Sequence, residues 1–165
     1  MSVLGIDASL RSTGYGVVAR QGASFRCLDQ GLVRNPPAHL HSECLAAIHA
    51  RVTALLETHR PEAVALEGGF YFKNAKTALI LGEVRGAVIA ACALRGVPVY
   101  EYAPRRVKQG LTGAGAASKE QVGRMVASIL GLTELPPEDA ADALAIALCH
   151  FHGRTGIAAL QPKPI

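Results

Sequence analysis

Tryptophan is absent, and only eight of the 165 residues are Phe or Tyr. The four cysteines, Cys27, Cys44, Cys92 and Cys149, stand far apart with no C-x-x-C pair. That spacing argues against a zinc site and leaves reduced, buried thiols as the expectation. No run reaches the ~18 apolar residues that span a bilayer. The opening Met1–Asp7 has no basic stretch and meets an acid at once, unlike a secretory signal. A cytoplasmic protein without membrane attachment is expected. There is no G-x-S-x-G, and no Cys/His pair announces a covalent nucleophile. Neither sign of charge dominates: 17 Lys and Arg face 13 Asp and Glu, a net charge of +4. Such a balance permits nucleic-acid binding without requiring it. What is present is a half-apolar chain with 18% charged residues, which excludes a disordered polymer and fits a single domain.

Hydrophobic periodicity orders the chain. Short apolar strands are expected at 3–7, 14–19 and 24–33, joined by hairpin-length links. The period then changes: Leu40, Cys44, Leu45, Ile48, Val52, Leu55 and Leu56 share one helical face, between Pro36-Pro37 and Pro61. A buried strand is expected at 63–67, a long helix near 74–95 closed by Gly96, and a fifth strand at 97–102. Pro98 marks that strand as an edge. The remainder reads as helical in at least two pieces, near 118–130 and 137–151. The order βββαβαβ followed by helices predicts an α/β fold, a mixed five-stranded sheet with helices on both faces. Gly113–Ala117 reads as a mobile loop. Residues 1–152 form the expected domain, and 153–165 a loosely ordered tail.

Carboxylates stand where apolar residues would cost less. Asp7 and Glu67 each end an apolar strand. If those strands are parallel neighbours, both acids emerge at the sheet end where α/β proteins bind ligands. Pro136-Pro137-Glu138-Asp139-Ala140-Ala141-Asp142 opens a helix, where acids also complement the dipole. Asp139 and Asp142, however, share a face about 5–6 Å apart. That face continues through Ile146 and Cys149, so the acids point inward. Like charges held together in a half-buried site repel, and a hard divalent cation such as Mg²⁺ or Mn²⁺ relieves this. Two ions about 3.5–4 Å apart would suit phosphodiester hydrolysis. His150 and His152, late in the last helix, read as ordinary helix-end residues.

Five segments in order then resemble the RuvC Holliday junction resolvases, across nearly the whole chain. They are Gly5-Ile6-Asp7 with Thr13–Val17, Glu67–Phe70 with Lys73-Asn74, Leu81–Gly86, Tyr102–Gln109 and Asp139–Ala145. The resemblance implies an RNase H-like fold and a metal-dependent endodeoxyribonuclease that resolves four-way junctions by paired nicks. It also implies a homodimer and a partnership with the RuvA-RuvB branch-migration complex. Asp7, Glu67, Asp139 and Asp142 match the family's catalytic positions. The chain departs from the family in Asp7-Ala8-Ser9, where Asp-Pro-Gly is usual, and in Gly68-Gly69, where Gln-Val is usual. The second departure loosens the chain after Glu67.

Candidate DNA contacts follow. Phe70-Tyr71-Phe72 cannot all face one core, and an exposed ring beside the acids would stack on an unpaired base. By resemblance, Phe70 is the family's aromatic at the junction. Lys73, Lys76, Arg105, Lys108 and Lys119 are basic candidates, with Lys108 and Lys119 matching positions near the family's active site. Ser118 with Gln121 forms a capping box that sets Lys119 in a helix's first turn, beside amides that attract phosphate. Ala75, Leu79, Gly82, Gly86 and Ala90 make a smooth face on the long helix, suited to close packing against the sheet or a second subunit. Three other readings compete: an RNase H-like nuclease acting on RNA or hybrids, a sugar-kinase/actin-like ATPase, and a non-catalytic junction binder. The ATPase needs two lobes and a second Gly-rich motif. A binder gains nothing from four acids facing phosphate.

Overall fold

In a computed structural model, which describes residues 1–68, 74–152 and 162–165, the expected α/β architecture is present. The strands are β1 (Ser2–Asp7), β2 (Ser12–Gln21), β3 (Ser24–Arg34), β4 (Ala63–Glu67) and β5 (Val99–Tyr102). The helices are α1 (His41–His59), α2 (Ala75–Ala93), α3 (Pro104–Thr112), α4 (Lys119–Leu130) and α5 (Glu138–His152). The sheet order is β3-β2-β1-β4-β5. β1, β2 and β3 pair antiparallel, whereas β4 is parallel to both β1 and β5. β5 is an edge, as Pro98 indicates.

Alternation along the strands divides the core in two. Leu4, Ile6, Val64 and Leu66 point to the face covered by α1 and α2, where Ile48, Val52, Val84 and Val88 meet them. Val3, Ala63 and Ala65 point to the opposite face, against α5 with α3 and α4 beside it. The second interface is unusually close. A methyl on Gly5 would lie 1.9 Å from the Ala143 carbonyl oxygen, and one on Gly14 would lie 2.0 Å from the Asp139 carbonyl oxygen. Gly5 pairs with Gly16, and Asp7 with Gly14, so β1 and β2 together offer α5 a bare backbone track. The helix answers with buried Ala140, Ala143 and Ala147. This approach carries the acidic start of α5 to the end of β1.

Two local expectations change, and a third helical piece joins the two located in the sequence. Residues 104–112 form a helix of their own, opened by Pro104 and closed by Gly113 at φ 75°. The Gly113–Ala117 segment is a tied turn: Thr112 Oγ1 accepts from the Ala114 amide at 3.2 Å, and Ala117 is buried. His150 is no ordinary helix-end residue. It is 3% exposed, and its Nδ1 lies 2.8 Å from Tyr102 Oη. Burial of an imidazole requires such a partner, and the pair ties α5 to β5. His152 is exposed. The four cysteines are all free thiols. Burial pushes Cys92 up to about 12 and Cys149 up to about 11, so both stay protonated and inert. At the C-terminus, residues 153–161 lie outside the described residues, and the Ile165 amide donates to the Val99 carbonyl at 2.9 Å.

Candidate active site

Asp7 and Glu67 are the last residues of adjacent parallel strands, one step beyond the Ile6–Leu66 pair. Period-two alternation turns both side chains to the α5 face, since Ile6 and Leu66 point to the other. Asp142, one turn into α5, faces them. The three carboxylates line a cleft of about 320 Å³, with Lys108 of α3 and Lys119 of α4 opposite. Asp139 stands beside the cleft and is engaged elsewhere: Ser12 Oγ donates to its carboxylate. Among the described residues, no group of three or more acids, histidines or cysteines is gathered closely enough to hold a metal ion.

The electrostatics follow from crowding. Asp7 is pushed up to about 7, first by burial, then by the charges of Asp142, Glu67 and Asp139. Glu67 is raised by burial and by Asp142, with Lys119 and Lys108 opposing. Burial raises Asp142 too, against the pull of Lys119. Lys119 is itself raised, chiefly by its hydrogen bond with Glu138. Its Nζ pairs with Glu138 and lies 3.3 Å from Asp142 Oδ2. The ammonium therefore supplies part of the counter-charge that the acids lack. An all-oxygen set, half-buried and held against its own repulsion, fits a hard divalent cation.

Local sequence explains each placement. Lys119 opens α4 behind the capping box: the Gln121 amide donates to Ser118 Oγ at 3.2 Å, and the Ser118 amide to Gln121 Oε1 at 2.8 Å. Lys108 follows buried Val107 on α3, which orients that helix over the cleft. Arg105 is exposed on the first turn of α3, against Gly115. Lys76, exposed on the first turn of α2, lines a separate groove whose near wall is Ala8 and Ser9, the residues after Asp7. Phe70, Tyr71 and Lys73 lie outside the described residues. On α2, Ala75, Leu79, Gly82, Gly86 and Ala90 are all exposed. Added methyls on Gly82 and Gly86 would meet nothing within 4 Å, so this face turns away from the sheet. Three neighbours carry no catalytic signal in the sequence: Ser12 on Asp139, Glu138 on Lys119, and Arg85, whose Nη1 donates to the Glu67 carbonyl at 2.5 Å. The sign of the last is that Arg85 falls in the Leu81–Gly86 segment, one of the five that resemble the family.

Comparison with known proteins decides among the competing readings. The family model for crossover junction endodeoxyribonuclease RuvC matches residues 3–150. The chain belongs to the RuvC family. A RuvC of Halorhodospira halophila is 49% identical over 153 residues, covering 93% of this chain and 91% of that protein. One from Caldicellulosiruptor saccharolyticus is 41% identical over 153 residues, covering 92% of each. Thermus thermophilus RuvC, solved in complex with a Holliday junction substrate, superposes with a TM-score of 0.89 at 43% identity over 100% of both chains. The yeast mitochondrial resolvase Ydc2, at 15% identity and a TM-score of 0.64, shares the fold. No helix among the described residues is long and apolar enough to cross a membrane.

Proposed function

We infer that this chain is a structure-selective endonuclease that resolves four-way Holliday junctions by paired, symmetric nicks in DNA recombination and repair. The observation that carries the reading is the convergence of Asp7, Glu67 and Asp142 on one cleft faced by Lys108 and Lys119, in a chain matched over residues 3–150 by the RuvC family. Asp7, Glu67, Asp142 and, after release from Ser12, Asp139 would hold divalent cations. Bound Mg²⁺ or Mn²⁺, two ions per site, would supply Lewis acidity toward the attacking water and the leaving oxygen. Lys108 and Lys119 would neutralise the scissile phosphate and the charge that grows on it. Lys119 has to exchange Glu138 for phosphate to do so. The cleft lies at the carboxyl ends of β1 and β4, where a scissile phosphate would meet both the acids and the two lysines.

Lys73, Lys76 and Arg105 would hold flanking phosphates, while Phe70 and Tyr71 would stack on bases at the branch point. One chain carries one acid site, so two symmetric nicks require a C2 homodimer. The exposed Gly82, Gly86 and Ala90 face of α2 supports close packing of two copies. In the cytoplasm the dimer would act with the RuvA-RuvB complex, with residues 1–152 as the nuclease domain. Incubation with a synthetic four-way junction and with a linear duplex, with and without Mg²⁺, tests the reading. Mg²⁺-dependent paired nicks in the junction alone support it, and equal cutting of the duplex contradicts it.

A further inference from the structure

The Leu81–Gly86 segment of α2 contains a side chain that grips the backbone of Glu67. Arg85 is mostly buried, with 14% of its side chain exposed. Its Nη1 donates to the Glu67 carbonyl at 2.5 Å, and its Nη2 is ion-paired with Glu101 of β5. Glu101 stands opposite Leu66 in the sheet, one register step before Glu67 and Tyr102. The Gly68 amide donates to the Tyr102 carbonyl at 2.9 Å. The peptide group between Glu67 and Gly68 is thus fastened at both ends, its N–H to β5 and its carbonyl to Arg85.

The need for a fastening is legible in the chain. The β1–β4 ladder ends at Ile6–Leu66, so Glu67 stands just past its last partner on that side. Gly68-Gly69 follow it, and glycine imposes little direction on the backbone. A carboxylate on such a strand end swings with its peptide plane. The guanidinium offers a rigid fork that holds a carbonyl and a carboxylate at once, which a lysine cannot reproduce. Gly68 completes the fit, since a methyl there would lie 2.9 Å from Glu101 Cβ.

We propose that Arg85, braced by Glu101, is a positioning residue that sets the direction in which the Glu67 carboxylate enters the cleft. It acts through the Glu67 main chain and touches no reacting atom. The assignment rests on Glu67 being a cation ligand. Groups of this kind around ligating carboxylates typically change metal affinity by roughly 10–100-fold when removed.

The test measures Mn²⁺ binding to the full, DNA-free protein by the electron paramagnetic resonance signal of free Mn²⁺. Arg85→Gln, Arg85→Lys, Glu101→Gln, the Arg85→Gln/Glu101→Gln pair and Glu67→Gln are compared with wild type. Junction affinity in chelator is measured in parallel. Arg85→Gln should weaken Mn²⁺ binding about tenfold or more, with junction affinity in chelator within about twofold of wild type. Raised Mg²⁺ should restore part of its cleavage. Glu101→Gln should lose less, and the pair no more than Arg85→Gln alone, because the two act as one unit. Wild-type Mn²⁺ affinity in a folded Arg85→Gln protein, alongside loss in Glu67→Gln, would overturn the assignment. Wild-type affinity in Glu67→Gln would instead remove the reading beneath it. Should Arg85→Gln not fold, Arg85→Lys decides: weaker Mn²⁺ binding supports the positioning role, and unchanged binding overturns it.

Discussion

The two faces of the sheet are packed by different means. Against α1 and α2, branched side chains such as Leu4, Ile6, Val64 and Leu66 fill the space in the ordinary way. Against α5, Gly5 and Gly14 contribute no side chain, and alanines reply from the helix. The first arrangement maximises apolar area removed from water. The second gives up area to bring two backbones close. That closeness sets a helix start bearing Asp139 and Asp142 beside strand ends bearing Asp7 and Glu67. Both faces bury an apolar cluster that stabilises the fold, and the α5 face also carries a crowded set of like charges.

The largest expected effect lies on the α5 face. Glu67→Gln and Asp142→Asn should each lower the junction cleavage rate by at least about 10³-fold, equivalent to about 4 kcal/mol of barrier, while junction binding survives. Gel assays of cleavage and binding on one substrate would check this. An Ile48→Val change on the other face should cost about 1 kcal/mol in urea unfolding and leave cleavage intact. Cleavage that survives in folded Glu67→Gln would break the division of labour between faces.

Gly5→Ala comes next. Its methyl would overlap the Ala143 carbonyl, so α5 has to move. A loss of about 3 kcal/mol in urea unfolding is expected, together with weaker divalent-ion binding. A stable Gly5→Ala protein with unchanged ion affinity would show that the close approach is not what assembles the site.

The pH dependence of the metal-free protein is a smaller effect with a definite sign. Asp7 is pushed up to about 7 when folded, against an ordinary value of 3.8. Between those values the folded chain holds more protons than the unfolded chain, so its stability falls as pH rises through that window. Burial and Asp142 raise Glu67 in the same direction. Thermal midpoints without metal should therefore be lower at pH 8 than at pH 5. Mg²⁺ should offset the difference, and Asp7→Asn should flatten it. A midpoint that climbs from pH 5 to pH 8 without metal would contradict the crowding.

Lys108→Ala and Lys119→Ala should have the mildest binding phenotype. Each should reduce the slope of log affinity against log salt by about 0.9 for a contact to a duplex arm. An unchanged slope would place that lysine off the phosphate path.

Much of this was legible along the chain because it is local. Alternation exposed the strands, Pro98 marked an edge, and Ser118 with Gln121 announced the start of α4. Acids at strand ends pointed to the cleft, and five spaced motifs to the family. What escaped depends on contacts between distant segments. Ser12 and Asp139 are 127 residues apart, and Tyr102 and His150 are 48 apart. No local pattern links such pairs. α3 spans nine residues and follows directly on β5, so its few apolar positions give little periodicity to read. Arg85 lies in one of the five motifs, but its part shows only when the Glu67 carbonyl is seen beside it.

The central claim is that each chain carries one complete hydrolytic site on its α5 face and that a pair of chains resolves the junction. Mixed dimers of wild-type and Asp7→Asn chains, isolated by two affinity tags and given a four-way junction with Mg²⁺, test it most directly. One nick per junction, in the strand held by the wild-type chain, is the expected result. Two symmetric nicks within a single binding event would contradict it.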